Sequence, residues 1–185
     1  MESKIFLENL KYPIGKFQKH SLFDQEILLD NIQTLKKFPK DLQNCIQNCG
    51  IDQLNFKYRP SGWTLKQVIH HCADSHTNAF GRIKLALTEN HPTIKPYDEN
   101  LWANLPDGVL NNVQPSMQIL EGIHFRWVIL LESLNEADFY RTFFHPETQT
   151  RTTIFEATAL YAWHCRHHLK HIKNGLISNG KYNRL

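Results

Sequence analysis

The sequence has few of the features that mark membrane, secreted or nucleic-acid-binding proteins. Its apolar runs fall short of the ~18 residues of a membrane-spanning helix, so we expect no membrane partner. Residues 1–17 lack the apolar segment and small-residue cleavage site of a secretory signal, so we expect none. The net charge is only +3 and the basic residues are scattered, which argues against nucleic acid as a partner.

Cysteine is also scarce. The chain has four, Cys45, Cys49, Cys72 and Cys165, and they form neither a CxxC motif nor a spacing typical of secreted disulfide scaffolds. We therefore expect reduced thiols that pack in the interior of a cytoplasmic protein. With 185 residues, of which 41% are hydrophobic and 21% charged, the chain fits one globular domain over residues 1–185.

Hydrophobic periodicity predicts long amphipathic helices and almost no strand. The first runs from about Phe23 to Cys49, and Pro39 within it predicts a kink or a restart. The second begins at the cap residue Thr64, where Gln67 three residues later completes a capping box. This helix should stop before residues 90–92, since a proline follows there.

Two further helices follow a long loop. Residues 90–112 show no clean period and contain three prolines and a glycine. The third helix begins near Pro115, and the fourth runs from about Thr153 to Ile177. A short hairpin or irregular insertion, 142–153, precedes the fourth helix. The pattern as a whole predicts an all-α four-helix bundle with a long loop between the second and third helices.

Histidine is the residue that stands out, with 11 in the chain. One cluster lies on the second predicted helix and another on the fourth: His70, His71 and His76, then His164, His167, His168 and His171. Neutral imidazole is the commonest protein ligand for transition metals. A metal site between these two helices is therefore the leading hypothesis.

Helical spacing favours one histidine pair on the fourth helix. His164 and His168 are four residues apart, so they share a face, and this face borders the apolar stripe. The pair His167 and His171 has the same spacing, but His167 should point to solvent. Any one of these histidines could also be a surface residue without a ligand.

Periodicity leaves the ligand on the second helix open. His76 lies in the middle of the apolar stripe, His71 on its flank, and His70 faces mostly outward. The pattern slightly favours His76, which could equally be a core histidine with a hydrogen-bond partner. Zinc enzymes usually have three protein ligands and one open position, so one histidine from this helix would complete the site.

Several motifs along the chain carry a resemblance to a known family. They are Tyr12–Gly15, Gly62–Thr64, Gln67–His71, Asp74–His76, Lys84–Glu89, Pro96–Glu99, Phe144–Pro146, Tyr161–His164 and the stretch that follows to Ile172. Through them the chain, from about Leu10 to Ile172, resembles the YfiT branch of the DinB/YfiT superfamily of metal-dependent four-helix proteins. Cys72 departs from that pattern, in which an aliphatic residue is usual.

The resemblance implies the ligand set. The family uses one histidine on the second helix and an HxxxH pair on the last helix, and by motif these are His71, His164 and His168. His71 is thus preferred over His76 by resemblance, against the slight preference from periodicity. The resemblance also implies one divalent ion per subunit, zinc before nickel, and a homodimer.

Such a site could support two enzymatic activities, and a third hypothesis is a site without catalytic activity. Three neutral imidazoles leave the +2 charge on the ion, which lowers the pKa of bound water from about 15.7 to about 7 or ionises a thiol. The family resemblance implies a hydrolase or, alternatively, an S-transferase that uses a low-molecular-weight thiol such as bacillithiol. The third hypothesis is a non-catalytic metal-binding bundle, closed by a fourth ligand such as His76.

Other side chains are candidates for supporting roles at the site. For each of them a purely structural role is the alternative. Asp74 could orient a ligand histidine or be a solvated helix charge, which we favour. Tyr97 and Asp98 could cover the site or anchor the long loop. Arg82 and Arg166 could hold an anionic substrate, although ordinary surface roles are favoured.

Overall fold

The fold is described by a computed structural model for residues 2–19 and 22–183. Four long helices carry most of the core, and short helices and one hairpin connect them. The elements are α1 (Glu2–Lys11), α2 (Gln25–Ile46), α3 (Ile51–Leu54), α4 (Leu65–Thr88), α5 (Glu99–Ala103), α6 (Gln114–Glu132), α7 (Glu136–Phe139), β1 (Thr142–His145), β2 (Thr150–Thr153) and α8 (Ile154–Ser178). The predicted four-helix bundle is confirmed by α2, α4, α6 and α8.

The order of the helices around the bundle determines where the histidines meet. Helix α2 packs against α6 and α8, and α4 packs against the same two helices. Going around the bundle, the order is therefore α2, α6, α4, α8. The two histidine-rich helices, α4 and α8, are neighbours.

Both histidine-bearing helices begin at a reciprocal cap. The Thr64 side chain accepts a hydrogen bond from the Gln67 backbone, and the Gln67 side chain caps the Thr64 backbone in return. Thr153 and Glu156 form the same arrangement at the start of α8. These caps satisfy backbone donors that have no partner within the helix and so fix both helix starts. The predicted starts of these helices are confirmed.

Pro39 does not interrupt its helix. Helix α2 continues from Gln25 to Ile46 with Pro39 inside it, so the predicted restart is wrong. Proline lacks the N–H that would bond the carbonyl four residues earlier, which is that of Leu35. The Nδ1 of His124 on α6 lies 2.6 Å from this carbonyl oxygen and replaces the missing donor. The core contact therefore stabilises a helix that local sequence would end.

The hairpin and the loops match the sequence in outline. Strands β1 and β2 pair antiparallel, with Thr142 opposite Thr153 and His145 opposite Thr150. The long loop contains the five-residue helix α5, and helix α1 was not predicted.

All four cysteines are free, and Cys72 and Cys165 are buried as predicted. Among the described residues, no helix is long and apolar enough to cross a membrane.

Candidate metal centre

Three histidine rings converge where α4 faces α8. His71 of α4 lies with His164 and His168 of α8, and one ring nitrogen of each lies within 4.8 Å of the other two. The Nε2 atoms of His71 and His164 are 3.2 Å apart. The structure thus brings together His164 and His168, the pair favoured by helical spacing, and His71, the ligand that the family resemblance implied.

The donor set fits a divalent ion. Two nitrogens bound tetrahedrally at about 2.0–2.1 Å from zinc lie about 3.3 Å apart, close to the separation seen here. Burial and, to a lesser extent, the charge of His167 lower the pKa of His71 to about 4. Burial, then His71, lowers the pKa of His164 well below its usual value, and burial, then His164, does so for His168. All three are therefore neutral at neutral pH, as metal ligands must be.

A cavity of about 340 Å³ opens at the three histidines. It is lined by Lys11, Tyr12, Tyr58, Arg59, Trp63, His71, Glu99, Trp163, His164, His167, His168 and His171. Both Lys11 and Glu99 are exposed, so the cavity can be reached from solvent. Aromatic rings form most of the remaining wall, which suits a small molecule with an apolar part.

The cavity has charged groups of both signs at its rim. Glu99 supplies the carboxylate of the lining, and its pKa is raised by partial burial, against the lowering effect of Arg82. Arg59 lies on the same wall, with its guanidinium 5.3 Å from the centre of the Tyr58 ring. The Tyr58 ring stacks on His171 at 3.9 Å. The sequence reading missed Glu99 and Arg59, although Glu99 lies within one of the family motifs.

A line of hydrogen-bonded histidines leads from His164 into the core. The Nδ1 of His164 lies 2.9 Å from Nε2 of His76. The Nδ1 of His76 lies 2.8 Å from Nε2 of His124, and the Nδ1 of His124 lies 2.6 Å from the Leu35 carbonyl. His76 is therefore a core histidine with two ring partners, which was one of the two predicted roles for it.

A shorter line starts at His168. Its Nδ1 lies 3.4 Å from Nδ1 of His171, and the Nε2 of His171 lies 3.1 Å from the carbonyl oxygen of Lys11. Lys11 ends helix α1. The unpredicted helix α1 therefore reaches the histidine cluster through its backbone.

Two other groups of potential ligands are present, and in the first of them the histidine nitrogens are already hydrogen-bonded. One contains His76, His124 and Cys165, the other His167, His168 and His171. Both ring nitrogens of His76 and of His124 are hydrogen-bonded. Burial raises the pKa of Cys165 well above its usual value, so it is a thiol rather than the thiolate that binds metals.

Two side chains that were predicted to face outward are buried. His70 contacts the Ser116 hydroxyl at 2.8 Å and the Leu110 carbonyl at 3.0 Å, because the loop before α6 covers that face of α4. His167 is 7% exposed and stacks on Trp163 at 4.4 Å. Tyr12, just after α1, lies over the same ring at 6.0 Å, so the N-terminal segment covers this face of α8.

The proposed supporting residues have mostly structural contacts. No hydrogen bond described for residues 2–19 and 22–183 joins the Asp74 carboxylate to a ligand histidine, and burial raises its pKa. Asp98 caps α5 by accepting from the Leu101 N–H, and Tyr97 packs on Trp102 at 4.4 Å. These two contacts fit the predicted role of anchoring the loop.

The two arginines differ in where they lie. Arg166 contacts Thr34 at 2.8 Å and Asp30 at 3.5 Å on the outer surface, so the favoured surface role holds. Arg82 is close enough to Tyr161 and Glu99 to lower the pKa of both, against the larger effect of burial. Arg82 is not among the residues that line the cavity.

His124 is the participant that sequence reasoning missed altogether. It lies four residues after Leu120 and three before Trp127, both fully buried, so it falls on the apolar stripe of α6. A polar residue in such a stripe signals a buried partner, and this signal was available in the sequence.

Comparison with known proteins gives consistent matches. Residues 34–172 match the model of the DinB superfamily. Proteins of Bacillus mycoides and Bacillus cereus, each named "Putative metal-dependent hydrolase", are 46% and 47% identical over 166 residues, or 90% of this chain and 95% of each relative.

A solved structure matches as well. YfiT from Bacillus subtilis, described as "a probable metal-dependent hydrolase with an unusual four-helix bundle topology", has a TM-score of 0.88 and 40% sequence identity. The match covers 92% of this chain and 97% of that one.

Proposed function

Because this chain belongs to the DinB superfamily, in its YfiT branch, we propose that it is a metal-dependent hydrolase in which His71, His164 and His168 hold one divalent ion. The observation that carries the proposal is the convergence of three neutral imidazoles at a cavity open to solvent. Three ligands leave a coordination position for water or substrate. Zinc is the preferred ion and nickel the alternative.

A divalent ion held by these neutral ligands would keep its +2 charge and would supply activation of water or a thiol near neutral pH. The protein's own contribution is to orient the three imidazoles and to shape the cavity beside them. Glu99, a carboxylate with a raised pKa, lines the same cavity, and its proposed role is to accept a proton or to return it to a leaving group. Arg59 supplies positive charge for an anionic part of the substrate.

Thiol transfer is the second candidate function. The cavity lining indicates where the thiol would come from in that case. The lining contains no cysteine, and burial raises the pKa of Cys72 and Cys165. A thiol nucleophile would therefore come from solution. Lys11 and Arg59 at the cavity favour an anionic low-molecular-weight thiol as this nucleophile.

A non-catalytic site is less well supported. It needs a fourth protein ligand to close the coordination sphere, and His76 was the candidate for it. Both ring nitrogens of His76 already have histidine partners, so neither is directed at the triad as a free ligand.

The test is metal analysis combined with two assays. The purified protein should contain one equivalent of a divalent ion, and His164→Ala and His168→Ala should abolish it. His91→Asn, at an exposed histidine outside the cavity, is the control and should retain the ion.

An activated ester should be hydrolysed without added thiol if the protein is a hydrolase, whereas turnover that requires an added thiol and electrophile indicates a transferase. A protein that binds the ion but is inactive in both assays would contradict both enzymatic proposals.

A further inference from the structure

The hydrogen bonds of the two lines of histidines have only one consistent direction. A carbonyl oxygen can accept a hydrogen bond but cannot donate one, so His124 donates from Nδ1 to Leu35. A neutral imidazole carries a single N–H, which leaves Nε2 of His124 as an acceptor. His76 must then donate from Nδ1, and the same reasoning makes His164 donate from its Nδ1 to His76.

The same reasoning applies to the second line of histidines, except that in His171 the donor is Nε2 and the acceptor is Nδ1. His171 donates from Nε2 to the Lys11 carbonyl, so its Nδ1 is an acceptor. His168 therefore donates from Nδ1 to His171. In both lines the last ring, His164 or His168, has its proton on Nδ1 and a lone pair on Nε2.

We propose that these two carbonyl-ended histidine chains set the protonation pattern of the two metal ligands on α8, His164 and His168, with His76, His124 and His171 acting as positioning residues. Leu35 and Lys11 fix the direction of the chains, and His164 and His168 consequently present Nε2 to the ion. The inference rests on the proposed function, since it concerns how its ligands are held. It adds three residues that touch no ion but determine which nitrogen is offered to it.

The sequence around Leu35 is suited to this role. In an uninterrupted α-helix the Leu35 carbonyl would be occupied by the N–H of residue 39, and Pro39 has none. The carbonyl is therefore free to accept from His124 at 2.6 Å. The Lys11 carbonyl is similarly available because it lies in the last turn of α1, where carbonyls lack partners within the helix.

The chains should also strengthen metal binding. A ligand histidine that donates its second N–H to an acceptor is a better ligand, and loss of such an acceptor typically costs about 10–100-fold in metal affinity. In most sites the acceptor is a carboxylate, a carbonyl or water. Here it is a second imidazole, so the effect of the carbonyl passes through one ring or two before it reaches the ligand.

The first test needs no metal. Nitrogen-15 NMR of the metal-free protein, labelled at histidine and held above about pH 7, reports which nitrogen of each ring carries the proton. We expect the proton on Nδ1 in His76, His124, His164 and His168, and on Nε2 in His171. A proton on Nε2 of His164 or His168 would overturn the proposal, whatever the protein's activity.

The second test measures the dissociation constant of zinc. His76→Leu and His171→Leu should each weaken zinc binding by about 10–100-fold. His76→Gln and His171→Asn place an amide oxygen where the accepting nitrogen was, and they should recover most of the affinity. His70→Leu is the matched control, because His70 is also buried and makes two hydrogen bonds but belongs to neither chain.

The outcomes separate this proposal from the proposed function. Folded Leu variants that bind zinc as tightly as the unmodified protein would overturn the chains' role while leaving the metal site. If the Leu variants do not fold, the NMR pattern of the unmodified protein and of the amide variants decides. If the unmodified protein binds no zinc but shows the expected protons, the hydrogen-bonded chains are supported and the proposed function fails.

Discussion

A neutral imidazole has two nitrogens and one proton, so the contact made by one nitrogen decides what the other can do. His71 and His76 lie five residues apart on α4, and the sequence pattern placed both near the core. Their difference comes from α6, where His124 occupies one side of His76. Periodicity of a single helix carries no information on that partner, which is why the resemblance and not the pattern selected His71.

Glu99 provides a test of the chemistry that leaves the ion in place. Glu99→Gln removes the proton acceptor at the cavity and should lower kcat by about 10²-fold or more, as expected for loss of a general base. The metal content should not change, because Glu99 is not among the three grouped ligands. Steady-state kinetics and metal analysis on the same preparation give both values.

Glu121→Gln, on the exposed side of α6, is the control for this change and should leave kcat unaltered. Unchanged turnover in Glu99→Gln would show that the carboxylate takes no part in proton transfer.

The long helices were the easiest part of the fold to predict. Helix α8 was predicted from about Thr153 to Ile177 and runs from Ile154 to Ser178, because its apolar spacing lies within the segment itself. Helix α1 was missed for the opposite reason. Ile5 and Phe6 are at least half exposed, so they bury little apolar surface, and the contact of α1 with His171 is made by its backbone.

Helix packing gives a prediction based on two glycines. A Cβ at Gly175 of α8 would lie 2.5 Å from Cδ2 of Leu65, which is fully buried at the start of α4. Gly175→Ala should therefore lower the free energy of unfolding by about 1–3 kcal/mol, because the close approach of the two helices is lost. Denaturant unfolding with a constant m-value measures it.

Gly122→Ala on α6 is the matched substitution. Nothing lies within 4 Å of a Cβ there, so the better helix propensity of alanine should stabilise the protein by about 0.5–1 kcal/mol. Equal effects of the two substitutions would mean that α4 and α8 are not packed as closely as described.

The fold concentrates histidines in its interior, and in the part of the chain that the structure describes no carboxylate is paired with them. Burial lowers the pKa of His124 to about 4, with the Leu35 carbonyl opposing it, and lowers that of His167 to about 4. The pKa of His171 is lowered to about 3, again mainly through burial. The sequence could place these residues on helices, but their burial depends on how α1, α6 and the loops cover α4 and α8.

Acid should therefore unfold the metal-free protein. Below the unfolded histidine pKa of about 6.5 the unfolded chain binds protons that the folded chain does not, so the free energy of unfolding falls as the pH falls. One histidine whose pKa is about 6.5 in the unfolded chain and about 4 in the folded chain lowers the free energy of unfolding by up to about 3 kcal/mol once the pH has fallen to about 4.

Denaturant titrations in the presence of a chelator, between about pH 7.5 and pH 4.5, measure this loss. The stability should be nearly constant above about pH 7 and should decline steeply below about pH 6.5. A stability that stays level or rises as the pH falls through this range would contradict the burial of neutral histidines.

The arrangement of the metal site is tested most directly by a crystal structure of the protein with zinc, with anomalous scattering recorded at the zinc edge. We predict one ion at the cavity, bound by Nε2 of His71, His164 and His168, with a fourth position occupied by water or a small ligand. An ion held instead by His76, His124 and Cys165, or by His167, His168 and His171, would contradict the account, as would a triad closed by a fourth protein side chain.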